Sequence, residues 1–304
     1  MINNLLTAAL TTILTAALTF SCGSKKRDDS SDRYQPGPDH RLVAAYQAAL
    51  LDLKAVSESG GWPAAEECDG ALWMGMAVRA GNDTIDATAS IQPDGRPTRL
   101  YKKDCMPGNT GSQVVCVFDA PCMGGSASTI SNDMITGILL ALIHNKDAEA
   151  IDRMYQYGER NSWFMGYPVS MVGRVYLRPN GRTIMARALY KLTSGQIDYS
   201  MYRILPVVYS PFADDYEIQL QALGLLIAKD LEYFGMTEQA IANELAERNP
   251  NDALVQAVAG NYTRATELLL DPGYVYPSYV RGHPNYNKVH FLLASKLIIE
   301  GMTK

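Results

Sequence analysis

The sequence predicts an all-α domain, a ring of paired helices around one core, broken once by a small β-containing insert. Apolar residues recur at helical spacing over most of residues 40–300, as in Leu42, Val43, Tyr46, Leu50, Leu53 and Val56. Helix-start residues and Gly or Asn breaks divide the chain into about ten helices, pairing as about five hairpins. There is no fixed-length repeat, so a ring of hairpins on a shared core fits better than a solenoid.

The N-terminus stands apart. Residues 2–21 are apolar or small and uncharged, and they end at Cys22. The run is long enough to span a membrane, and its position and small-residue end also fit a secretory signal. Leu18-Thr19-Phe20-Ser21-Cys22 resembles a bacterial lipobox, which implies lipidation at Cys22 and removal of residues 1–21. It departs from that pattern at bulky Phe20 and in lacking a basic segment, since Lys25, Lys26 and Arg27 follow the cysteine. An uncleaved anchor and a plain secretory signal are the alternatives. All three readings put the body outside the cytoplasm, and the lipoprotein reading puts it in the cell envelope, on the periplasmic face or the cell surface. Residues 22–39, charged, Ser-rich and closing on Pro-Gly-Pro, read as a flexible tether before a single domain at 40–304.

Composition narrows the partners. In the 304-residue chain, 47% hydrophobic and 19% charged residues describe a globular protein with a sizeable core. A net charge of -5 offers no broad cationic surface, so no nucleic-acid partner is expected. Cys68, Cys105, Cys116 and Cys122 form an even set in an exported chain, which suggests two disulfides in one of three connectivities. A zinc site is the competing reading, disfavoured by the lack of any C-x-x-C pair.

Taken in order, a first helix at 40–58 is broken by Gly60-Gly61-Trp62-Pro63, and a second covers about 64–80. Residues 81–127 form the insert. Thr84, Asp86, Thr88 and Ser90 alternate with Ile85, Ala87, Ala89 and Ile91 as in a short strand; Pro93-Asp94-Gly95 supplies a turn, and Val114–Phe118 suggests another strand. A central hairpin follows, with Ser131 as N-cap, an apolar face from Met134 to Ile143, and Asp147 capping the return. Further helices are expected at 182–194, 215–233, 238–247, 252–259 and 288–300, with Thr237 and Asn251 as caps and Thr263 opening a short one. The segments 161–180 and 272–287 read as loops.

Cys68-Asp69-Gly70-Ala71-Leu72-Trp73 on an early helix and Ser131-Asn132-Asp133-Met134 opening a later one, within that spread of hairpins, resemble the (α/α) toroid glycosidases and polysaccharide lyases. The resemblance covers most of residues 40–300 in architecture, through short motifs and with five hairpins where a full toroid has six. It implies a sugar-binding cleft lined by carboxylates and aromatics at inner-helix starts.

Asp69 and Asp133 are the candidate catalytic pair, each near a loop ahead of an apolar helical run. Inverting glycosidases hold their two carboxyl groups roughly 6.5–9.5 Å apart and retaining ones about 5–5.5 Å apart. The bland reading of Asp133 is a first-turn residue stabilised by the helix dipole, an environment that suits a base better than an acid. Glu66 and Glu67 are the alternative acids. Of the three tryptophans, Trp62 and Trp163 are candidate sugar platforms, while mid-helix Trp73 reads as core. Arg174 and Arg178, with Arg182, are candidate anion contacts, although Pro179-Asn180-Gly181 argues against one continuous helix through them. Asp215 and His283 complete the substrate-binding candidates, and His290 reads as a core histidine because it shares a face with Leu293 and Leu297.

GxSxG, HExxH, GxxxxGK and GxGxxG are all missing, so serine-hydrolase, zinc-protease and nucleotide chemistry are poor fits and neither cofactor nor metal is expected. The sequence therefore reads as an exported, lipid-anchored glycan-active enzyme, a hydrolase before a lyase. The alternative is a non-catalytic envelope lipoprotein that binds a glycan or a protein.

Overall fold

The computed structural model describes residues 37–62, 69–99, 105–107, 114–116, 130–166, 175–177, 179–193, 195, 213–280 and 284–303. Ten helices lie among them: α1 (His40–Glu58), α2 (Gly70–Arg79), α3 (Asn132–His144), α4 (Ala148–Arg160), α5 (Pro179–Leu192), α6 (Asp215–Asp230), α7 (Met236–Arg248), α8 (Ala253–Ala259), α9 (Tyr262–Leu270) and α10 (Pro284–Met302). Strand is confined there to two antiparallel pairs, β1 (Cys105–Pro107) with β2 (Val114–Cys116) and β3 (Phe164–Met165) with β4 (Val175–Tyr176). The chain is mostly helical, as its periodicity predicts. No described helix is long and apolar enough to cross a membrane.

The helices fall into two kinds by what they bury. All ten residues of α2 and all seven of α8 are buried, as is nearly all of α3 after its first turn. Helices apolar on every side belong inside a core. By contrast, α1 buries only Leu42 and Leu53, α9 only Ala265 and Leu268, and α4 one face through Ile151, Met154 and Tyr155. These one-sided helices cover the others. Within the inner set, α2 packs on α3, α3 on α6, α6 on α8, α8 on α10, and α10 on α2.

These five inner helices point the same way, as contacts at both ends require. At one end Arg99 touches both Asp69 and Ser131, which precede α2 and α3, and Tyr216 on α6 reaches Asp133 on α3. Trp73 of α2 stacks on Tyr286 of α10, with ring centroids 4.2 Å apart. At the other end the Arg79 guanidinium, closing α2, forks to Asp230 at the end of α6 (2.7 and 3.0 Å) and to Glu300 near the end of α10 (2.9 and 3.3 Å). Lys229 of α6 donates to the Val258 carbonyl at the end of α8. A cation at a helix C-terminus also suits the dipole, so Arg79 is favoured there twice over.

Several local expectations are corrected. Residues 84–91 form no strand: the Asp86 carboxylate accepts from Thr88 N–H (2.9 Å) and opens a 3-10 turn, Ala87–Ser90, followed by a single bridge between Ile91 and Pro97. A side chain that bonds the backbone two residues on competes with ladder pairing. Helices α5 and α10 begin earlier than expected, with Pro179 and Pro284 in the first helical position, where a missing N–H costs nothing. Three caps move. Gly235 replaces Thr237, its N–H donating to Glu238 at 2.9 Å; Asp252 replaces Asn251; and Asn261 precedes the helix expected from Thr263. Asp147 caps α4 as expected, accepting from Ala150 N–H at 2.9 Å.

Candidate functional site

The shared N-terminal end of the inner helices carries the candidate carboxylates Asp69 and Asp133. The segment after the 3-10 turn folds back on itself, with Gln92 N–H donating to Arg96 O at 2.8 Å and Thr98 N–H to Ser90 O at 2.8 Å. At its tip Gly95 has φ +91, and a Cβ there would lie 2.0 Å from the Arg153 carbonyl oxygen of α4. The turn is thus pressed against α4, and it delivers Arg99 to the starts of α2 and α3. The Arg99 carbonyl accepts from Ala71 N–H at 3.0 Å, satisfying part of the first turn of α2.

Arg99 is 5% exposed at its side chain and spans two helix starts, Nη1 lying 3.3 Å from Asp69 Oδ1 and Nη2 3.2 Å from Ser131 Oγ. Asp69 and Ser131 occupy the N-cap positions of α2 and α3, yet neither side chain caps its own helix. Forgoing an N-cap bond costs about 1 kcal/mol. Both polar groups are instead committed to Arg99, and Asp69 keeps 44% of its side chain exposed.

Asp133, half-buried in the first turn of α3, accepts a short hydrogen bond from the Tyr216 hydroxyl. Burial is the largest effect on Tyr216. With the negative charges of Asp133 and Asp69 it pushes the hydroxyl well above the usual tyrosine range. Tyr216 therefore stays a donor and Asp133 an acceptor. Arg99 ties Asp69 to Ser131, two residues before Asp133, so the two carboxylates belong to one cluster.

Burial first, then the charge and hydrogen bond of Asp252, hold the Tyr279 hydroxyl well above the usual tyrosine range, and the exposed Asp215, one residue before Tyr216, adds least. The rings of Tyr216 and Tyr279 meet edge-on at 6.4 Å. Behind Tyr279 lies Asp252, the N-cap of α8: its Oδ2 accepts from the Tyr279 hydroxyl at 2.7 Å, and its Oδ1 accepts from Leu254 and Val255 N–H groups. The same Oδ1 is 3.2 Å from Nε2 of His290, which is fully buried, as expected of a core histidine. Burial alone would raise the Asp252 carboxyl, but His290, Tyr279 and the α8 N–H groups together hold it below the usual carboxylate range.

Of the remaining candidates, the structure describes the two tryptophans and Arg182. Trp62 is 1% exposed in the core, so its ring has no face open to a sugar. Trp163, with φ +65 beyond the end of α4, meets Tyr155 edge-on, and the Arg182 guanidinium sits 4.8 Å over its ring and 4.6 Å over that of Tyr176. Arg182 is thus inside a helix and engaged by aromatics. Cys22, Cys68, Cys122, Arg174, Arg178 and His283 lie outside the described residues, and Cys105 and Cys116 are described in backbone only. Arg99, Asp252 and Tyr279 went unnoticed in the sequence because each sits in or next to an aperiodic loop. Tyr216 was visible as the neighbour of Asp215 in a helical first turn. Among the described residues, no three His, Cys, Asp or Glu side chains converge as a metal site. No protein-family model, curated protein or solved structure matches the chain.

Proposed function

We propose that the chain is an exported, membrane-anchored, glycan-active enzyme, with its site at the common N-terminal end of the inner helices. The observation that carries this reading is that Arg99 bridges Asp69 to Ser131, two residues before Asp133, so that the two carboxylates sit at adjoining helix starts. In glycoside hydrolysis one carboxylate draws a proton from the attacking water while the other gives one to the departing sugar oxygen. Asp133, held in place by the Tyr216 hydroxyl, is the base, and Asp69, with 44% of its side chain exposed, is its partner. Hydrolysis is favoured over elimination because Arg99, the cation of this cluster, is already engaged by Asp69 and Ser131 rather than open to a uronate.

The inner helices α2, α3, α6, α8 and α10, covered by one-sided neighbours, support the toroid as the architecture behind the cleft. For the insert we propose the pairing Cys105–Cys116, which leaves Cys68 with Cys122; the strand register that sets Cys105 opposite Cys116 supports it. Lipidation at Cys22 remains the proposed anchor.

A second reading, glycan binding without turnover, is favoured by one contact. Arg99 beside Asp69 stabilises its carboxylate form, and a proton donor must hold its proton. Reducing-end release from mixed glycans separates the two. The enzyme releases reducing ends and loses this activity in Asp133→Asn, whereas the binder releases none and retains its ligand.

A further inference from the structure

We infer that the Tyr279 ring is the stacking wall of this site, a platform for one neutral pyranose ring seated beside Tyr216 and the carboxylate of Asp133. The inference rests on the glycan reading and supplies the aromatic surface that Trp62, being buried, does not offer.

The Tyr279 hydroxyl is anchored from below. An N-cap needs one carboxylate oxygen for the helix, and Asp252 Oδ1 alone serves both α8 N–H groups. The second oxygen is spent on Tyr279, and His290 approaches the first, so a buried anion is stabilised on several sides. Neighbouring tyrosines anchor on the same spot. The Tyr274 hydroxyl accepts from Ala253 N–H at 3.1 Å, and the Tyr276 ring meets His290 edge-on at 5.8 Å. Tyr279 thus turns its hydroxyl inward while the residue as a whole remains partly exposed, next to Tyr216.

An aromatic surface next to Tyr216 and the carboxylate it bonds, Asp133, suits a polyol. The C–H face of a sugar packs on the ring and its hydroxyls donate to the carboxylate. An anionic ligand would meet like charge. A quaternary ammonium would also suit a ring near a carboxylate, and it is the competing occupant.

The test is calorimetric titration of the full chain with chitin-, cellulose- and xylan-derived hexasaccharides and with tetramethylammonium, for wild type, Tyr279→Phe and Tyr279→Leu. Leu keeps apolar volume without a flat face; Phe keeps the face and loses only the bond to Asp252. The expected result is sugar binding by wild type, affinity within about twofold in Tyr279→Phe despite a lower thermal midpoint, and a loss of about tenfold in Tyr279→Leu. A merely structural Tyr279 would make Phe and Leu track their stability losses instead. Unchanged affinity in Tyr279→Leu, equal losses in Phe and Leu, or preference for tetramethylammonium overturns the platform. In the first two cases wild-type sugar binding leaves the glycan reading standing. If wild type binds no hexasaccharide, both fall.

Discussion

Gly75 and Gly137 meet backbone to backbone where α2 packs on α3: a Cβ on Gly75 would lie 1.8 Å from the Gly137 carbonyl oxygen. A Cβ on Gly137 would in turn lie 2.4 Å from Leu72 Cα. Backbone cannot move aside as a flexible side chain can, so this contact sets how closely the two helix starts carrying Asp69 and Asp133 approach. Gly137→Ala is expected to cost more than about 4 kcal/mol or to abolish folding. Gly260→Ala, with φ +90 but open space around it, is expected to cost only about 1–2 kcal/mol. Urea unfolding of the two variants gives the comparison.

The far end of the bundle makes stability acid-sensitive. Burial, then the Arg79 guanidinium, lowers His144 below its ordinary 6.5. Below that pH the unfolded chain takes up a proton that the native histidine refuses, so stability falls as pH drops from 6.5 toward the native value. Burial alone would raise Glu300, but its bond to Arg79 and the Arg79 charge lower it below 4.5, so its contribution is lost at still lower pH. Thermal midpoints from pH 8 to 3 are expected to fall in two stages. His144→Gln should remove the first stage and leave the second; a profile parallel to wild type between pH 7 and 5 contradicts the assignment.

Tyr216→Phe removes the donor to Asp133 and keeps the ring against Tyr279. Turnover is expected to fall about 10- to 100-fold with KM nearly unchanged, since the bond orients the proposed base rather than contributing to ground-state binding. Steady-state kinetics on the most active glycan reads this split.

Register places Cys105 opposite Cys116. Peptide mapping of the protein, purified from an oxidising compartment without reduction, is expected to recover these two in one linked peptide and Cys68 with Cys122 in another. Any other pairing contradicts the proposed staple.

Much of the fold was legible where one physical signal dominated. The spacing from Leu42 to Val56 marks α1 at its observed limits, and Asp147 marks the turn of the central hairpin. Legibility failed where local bonds or long-range packing decided. Alternation at 84–91 looks like a strand, but Asp86 ties the backbone into a turn. Trp62 follows two glycines in what reads as a loop, while tertiary packing buries it. Asp69 and Asp133 were visible because carboxylates ahead of apolar helical runs stand out. Arg99, Asp252 and Tyr279 carry no period, and only the three-dimensional arrangement brings them beside those helix starts.

The central claim is that Asp69 and Asp133 work in one site. The most direct measurement is kcat/KM for reducing-end release by wild type, Asp69→Asn, Asp133→Asn and the double variant. Residues acting as a unit give a double variant scarcely worse than the worse single one. Losses that multiply, or no release by wild type from any glycan tried, would contradict the account.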